Sequence, residues 1–116
     1  MSENALRVNG NETALTRIFM NLLQNAFAHT PLSGHVSLIA RKEKSLAQIE
    51  IADTGTGIEH KDLPHIFERF YKGENASGTG LGLSIVRELT TQHNGKVHLE
   101  SEMGKGTRVI LTFPLA

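Results

Sequence analysis

Four groups of residues have types and spacings that chemistry can use. Three glycines at alternate positions, Gly78, Gly80 and Gly82, with Thr79 and Leu81 between them, run straight into the apolar helical pattern that starts at Leu83. Glycine lets backbone N–H groups approach an anion closely, and the helix that follows adds its N-terminal partial positive charge. The pattern suits phosphate, although a flexible turn closing into a helix reads the same way. It is neither the dinucleotide fingerprint Gly-x-Gly-x-x-Gly nor a P-loop, which needs Lys-Ser or Lys-Thr after its glycines.

The second group is Asp53-Thr54-Gly55-Thr56-Gly57-Ile58, at the end of an apolar strand pattern. Asp before a glycine-rich turn often does no more than shape the turn. At the mouth of a core, its ionised carboxylate can only accept hydrogen bonds. Such an acceptor suits the exocyclic amine of adenine and rejects guanine, which places a carbonyl there. A buried acceptor left unpaired costs about 1–3 kcal/mol. The third group, Asn21 and Asn25, lies four residues apart on one side of a helix, where Asn is disfavoured. Two solvated polar positions would account for the pair. So would a cation and phosphate site, since Mg²⁺ takes few protein ligands beside phosphate and water. The fourth group is Ile66-Phe67-Glu68-Arg69-Phe70-Tyr71 with Lys72 after it, combining an apolar stripe with cations.

The elements that must position these groups follow from periodicity. Residues 5–8 read as a short edge strand, and Asn11 is an N-cap candidate for a helix from Glu12. In that helix Leu15, Ile18, Phe19, Leu22, Leu23, Ala26 and Phe27 form an apolar stripe, and Pro31 and Gly34 end it. Val36, Leu38 and Ala40, then Ala47, Ile49 and Ile51, alternate as two strands joined through residues 42–45. Residues 59–71 read as short helical pieces broken by Pro64, and residues 72–78 as a mobile loop. A helix from Leu83 carries Ile85, Val86 and Leu89 and stops at Asn94-Gly95. Strands over 96–100 and 107–113 close the chain. This order predicts an α+β fold, a two-layer sandwich with helices on one face of a largely antiparallel sheet.

Composition bounds the function. The 116 residues fit one domain, 1–116, with 39% apolar residues in the ordinary globular range. Twelve basic and twelve acidic side chains cancel, so no overall field draws in nucleic acid. The absence of cysteine excludes disulfides and thiolate metal sites. The apolar runs are too short to span a membrane. The remaining histidines, His35, His60, His65, His93 and His98, have no metal-site spacing.

In their order, the stretches Asn21 to Thr30, Asp53 to Ile58, Ile66 to Tyr71 and Gly78 to Val86 resemble the N, first glycine, F and second glycine boxes of sensor histidine kinases. The tail from Gly104 to Pro114 is similar to the strand that closes the catalytic ATP-binding domain of that family. The resemblance covers almost the whole chain and implies the Bergerat fold, with a left-handed βαβ unit, a mixed, mostly antiparallel sheet and about three helices on one face. It implies an Mg²⁺-ATP site with Asn25 as the metal ligand, Asn21 near the phosphates and Asp53 on the adenine amine. Gly55, Gly57 and Ile58 would shape the base pocket, and His29 would pack near the adenine. Gly78, Thr79, Gly80, Leu81, Gly82 and Leu83 would anchor an ATP lid, while Arg69 and Lys72 would steady the γ-phosphate.

The sequence departs from the family at Ala28, where a Lys or Arg is frequent. Relatives that hydrolyse ATP or phosphorylate serine usually carry Glu four residues before the metal-binding Asn, and an amide such as Asn21 is no general base. The phosphoacceptor motif is absent, because the residue five before Pro31 is Ala26 rather than His. The implied partners are a histidine-containing dimerisation and phosphotransfer domain of the same protein and a response regulator, with no nucleic acid. The intact protein would be homodimeric and anchored in the bacterial inner membrane, and this cytoplasmic fragment monomeric. A free-standing ATPase or serine kinase, or a degenerate nucleotide-binding module, is the alternative reading.

Overall fold

A computed structural model describes residues 10–68 and 82–115. The strand expected at 5–8, the loop at 72–78 and the residues Arg69, Lys72, Gly78, Thr79, Gly80 and Leu81 lie outside the described residues.

Helix α1 spans Glu12–His29. Asn11 caps it from an extended conformation, its side chain accepting the Ala14 N–H at 3.0 Å. At the other end the Thr30 hydroxyl donates to the Ala26 carbonyl at 2.7 Å, and Pro31 follows. Ile18, Leu22 and Ala26 form the buried line of the helix, flanked by Leu15, Phe19 and Leu23. Phe27 was expected in the stripe but is 64% exposed. At about 100° per residue it lies roughly 100° around the helix from Ala26, on the flank away from Ile18.

The strands β1 (Val36–Glu43), β2 (Leu46–Asp53), β3 (Lys96–Glu102) and β4 (Gly106–Pro114) form a sheet in the order β1-β2-β4-β3. All its described pairings are antiparallel. The first hairpin closes more tightly than the sequence suggested, because Glu43 pairs with Leu46 and leaves Lys44 and Ser45 as the turn. Lys44 has a φ of 58°, the positive value such a turn needs at its first central position.

One sheet face carries Ile51 of β2 and Val109, Leu111 and Phe113 of β4, which pack with Ile18, Leu22 and Ala26 of α1 and Val86 of α2 (Gly82–Gln92) in one core. The opposite face carries an ion network, in which Arg108 pairs with Glu100 and, at 3.4 Å, with Glu50. The guanidinium of Arg108 holds the Glu100 carboxyl below its ordinary range. The helices lie over β2 and β3. Leu38, on β1 at the edge of the described sheet, is half exposed rather than part of the core.

Between β2 and α2 the chain makes a short 3₁₀ helix, His60–His65, with Pro64 inside it. In so short a helix the missing proline N–H forfeits a single bond, so Pro64 does not break it. After it, Phe67 lies under the guanidinium of Arg87 of α2, 5.6 Å from ring centroid to charge centre. Helix α2 ends in a Schellman motif. Asn94 has a φ of 61°, its N–H donates to the Thr91 carbonyl at 3.0 Å, and the Gly95 N–H donates to the Thr90 carbonyl at 2.9 Å.

Candidate nucleotide site

The two helices are tied at one pair of ends. His93, just beyond α2, bonds through Nδ1 to the Leu89 carbonyl at 2.8 Å and accepts the Asn11 N–H on Nε2 at 3.0 Å. The C-terminal end of α2 therefore sits at the start of α1, and the helices pack together from there. Eleven residues of α2 rise about 16 Å. The N-terminus of α2 at Gly82 consequently lies toward the C-terminal half of α1, the half that bears Asn21, Asn25 and His29. These three residues, at successive steps of four, are half-buried along one flank of the Ile18-Leu22-Ala26 line.

The segment Asp53–Ile58 seats on that same end of α1. The Thr56 N–H donates to the His29 carbonyl at 3.2 Å. Gly55 is buried there, and any side chain on it would collide with the His29 carbonyl. Gly57 has a φ of 78° and lies so close to the Glu102 backbone that a Cβ would strike the carbonyl oxygen. On its other side the segment is held by the chain before β1, where Thr54 donates its N–H to the His35 carbonyl at 3.0 Å and accepts the His35 N–H on its hydroxyl at 2.8 Å.

Asp53 is partly buried at the end of β2. Its Oδ1 accepts the Gly55 N–H at 2.8 Å and the Thr107 N–H at 3.3 Å. Two donors from separate segments thus fix the carboxylate through one oxygen. The other, Oδ2, takes no hydrogen bond among the described residues.

Two further observations bear on what the site can hold. The amide nitrogen of Asn21 is buried and has no hydrogen-bond partner among the described residues. That is a state with a cost of about 1–3 kcal/mol unless something accepts from it. At Gly82 a Cβ would meet nothing within 4 Å among the described residues. A buried donor, a helix N-terminus and a fixed carboxylate acceptor fit a ligand with an anionic end and an amine-bearing end. Asn25 has an amide oxygen of the hard type that Mg²⁺ takes, and among the described residues no group of three or more His, Cys, Asp or Glu could hold a metal ion.

Of the residues singled out in the sequence, Asp53, Gly55, Gly57, Ile58 and His29 are brought together directly. Asn21 and Asn25 extend that surface along α1, and Gly82 faces the same half of the helix. Leu83 packs on the core. His29 contributes its backbone carbonyl to the segment, a role that its side-chain type does not signal. Thr107 and Ser101 were missed. Thr107 bonds Asp53, and the Ser101 hydroxyl accepts the Ile58 N–H at 2.8 Å. Both sit at strand ends next to a turn, the only signal the sequence gives.

Residues 10–116 match the family of histidine kinase-, DNA gyrase B-, and HSP90-like ATPases, and the chain belongs to it. It is 38% identical over 111 residues to the sensor histidine kinase RppB of Synechocystis sp., an alignment covering 91% of this chain and 24% of RppB. To the sensor histidine kinase WalK of Bacillus subtilis it is 35% identical over 121 residues, covering 98% of this chain and 20% of WalK. The chain therefore spans a quarter or less of these two relatives. Among solved structures, the mycobacterial sensor histidine kinase MprB superposes with a TM-score of 0.85 at 28% identity, covering 93% of this chain and 76% of that one. Full-length ShkA in complex with AMPPNP gives a TM-score of 0.85 at 31% identity, covering 97% of this chain and 24% of that one. The two-layer fold, with its helices on one face of an antiparallel sheet, is that of histidine kinase catalytic domains.

Proposed function

We propose that this chain is the catalytic ATP-binding domain of a two-component sensor histidine kinase. It binds Mg²⁺-ATP and delivers the γ-phosphate to a histidine on a separate dimerisation and phosphotransfer domain. The observation that carries the reading is the Asp53 carboxylate, held through Oδ1 by two backbone donors and presenting Oδ2 as an acceptor for an adenine amine. The similar chains are full sensor kinases several times longer, which is the context such a domain requires.

Each residue has a task under this reading. Oδ2 of Asp53 accepts from the exocyclic amine, and Gly55 and Gly57 let the segment beside it pack closely against the His29 carbonyl and the Glu102 backbone. The Asn21 amide nitrogen donates to a phosphate oxygen. Asn25 offers its amide oxygen to Mg²⁺, which when bound neutralises phosphate charge. The α2 N-terminus adds its partial positive charge, and Arg69 and Lys72 act on the γ-phosphate. Most of the rate comes from positioning and charge stabilisation, as is general for phosphoryl transfer. With Asn21 in place of an acid, no side chain there activates water, so transfer to a protein histidine is favoured over hydrolysis. The recipient then passes the phosphoryl group to a response regulator, and the intact protein is a membrane-anchored homodimer.

The test supplies γ-labelled ATP, Mg²⁺ and the histidine-bearing domain of the same polypeptide. Acid-labile, alkali-stable label on that domain is the expected result. Rapid release of inorganic phosphate with no labelled protein would contradict the reading.

A further inference from the structure

We infer that Ser101 is a positioning residue for base selection, its single hydroxyl holding the Asp53–Ile58 segment and the start of β4 in the arrangement that aims Asp53 at the base. The inference rests on the nucleotide reading of the site.

Asp53, Thr107 and Ser101 lie on one rung of the sheet. Asp53 pairs with Thr107 across β2 and β4, and Ser101 pairs with Thr107 across β3 and β4. The next rung inward on the same face is apolar, with Ile51, Val109 and Leu99. A single polar rung thus borders the hydrophobic core where the base would sit.

A serine hydroxyl has one proton to give and two lone pairs to share. The Ile58 N–H donates to Ser101 Oγ at 2.8 Å. The Ser101 hydroxyl donates to the Gly106 carbonyl at 3.0 Å. Thr107 Oγ1 lies 2.8 Å from the same oxygen. With the serine proton committed to Gly106, Thr107 is the donor, and the hydroxyl's capacity is filled. The consequence runs in two directions. On one side, Ile58 and the segment that begins at Asp53 are fastened to β3. On the other, Gly106 and Thr107 are fixed, and the Thr107 N–H is one of the two donors that orient Asp53.

An alanine at this position leaves the Ile58 N–H and the Thr107 hydroxyl without their partner and frees both attachments of the carboxylate's surroundings. The loss falls on discrimination between bases, because phosphate and cation contacts come from α1 and α2. A residue that served only to hold β3 to β4 would lower affinity for all nucleotides alike.

The experiment titrates the 116-residue chain, as wild type, Ser101→Ala and Ser101→Thr, with non-hydrolysable ATP and GTP analogues, and follows amide exchange at Ile58 and Leu111. We expect the ratio of the two dissociation constants to fall about 10-fold in Ser101→Ala, with faster exchange at Ile58 and unchanged exchange at Leu111, and to recover in Ser101→Thr. If Ser101→Ala does not fold, Thr107→Val removes one of the same hydrogen bonds from the other side and is read in the same way. A wild type that prefers ATP beside a variant with the same preference overturns the role of Ser101. A wild type that binds both analogues equally, or neither, overturns the base-pocket reading and the inference with it, and the wild-type titration alone tells the two failures apart.

Discussion

At the scale of single residues, the site turns on where polar groups find partners. Asp53 has one oxygen satisfied twice and the other without a hydrogen bond among the described residues. Asp53→Asn keeps the shape but replaces half of the acceptor capacity by a donor. We therefore predict that it reduces the preference for adenine over guanine by about 10-fold or more, measured as a ratio of dissociation constants; an unchanged ratio removes Asp53 from base recognition. Asn25→Ala should abolish most of the gain in nucleotide affinity on adding Mg²⁺, a factor of at least roughly 10, and an intact Mg²⁺ dependence would move the metal elsewhere. Thr90 shows the opposite situation. Its hydroxyl is buried on α2 with no hydrogen-bond partner among the described residues and lies outside the site. Thr90→Val should raise unfolding stability by about 1 kcal/mol, seen as a higher denaturant midpoint with an unchanged slope.

Residue type singled out Asp53, Gly55, Gly57 and the asparagine pair in the sequence, because each is costly or unusual where it stands. Ser101 and Thr107 were not legible. Their roles depend on a strand register that brings Thr107 to Asp53 across 54 positions, and nothing local to Ser-Glu-Met-Gly-Lys-Gly-Thr specifies that partner. His29 illustrates a third case, since what it contributes to the segment is a backbone carbonyl.

At the scale of elements, periodicity located both helices and all four described strands, while their edges and solvent-facing members depended on neighbours. Phe27 has the spacing of a core residue but lies on the flank of α1 away from the buried line. Leu38 alternates correctly on the outermost described strand and is half exposed. Asn94 takes the left-handed position at the end of α2, one residue before the glycine that sequence reasoning favours. The alignment of the helices themselves rests on His93, which joins Asn11 to Leu89 and had no role in the sequence reading. His93→Ala should lower stability by about 1 kcal/mol, since the exposed Asn11 N–H can turn to water. Exchange of amides in the first turn of α1 should also quicken. Unchanged exchange there would show that helix packing alone sets the alignment.

At the scale of the whole molecule, antiparallel hairpins and a helical layer build a frame that brings the Asp53–Ile58 segment, the chain before β1 and the β3–β4 turn together at one end of α1. The fold was readable because its strands alternate and its helices are amphipathic. The encounter of Asp53–Ile58 with His29 and with the β3–β4 turn was not, because it is a property of packing. The chain spans a quarter or less of the two relatives, and the proposed kinase activity requires a further domain to meet it.

The central claim is that this frame forms an Mg²⁺-dependent, adenine-selective site, and calorimetric titration of the chain tests it most directly. The titrant is a non-hydrolysable ATP analogue, first with Mg²⁺ and then with chelator, with the GTP analogue beside it. We predict saturable binding to one site, stronger with Mg²⁺ and stronger for ATP than for GTP. No binding, or binding indifferent to both the metal and the base, would contradict the account.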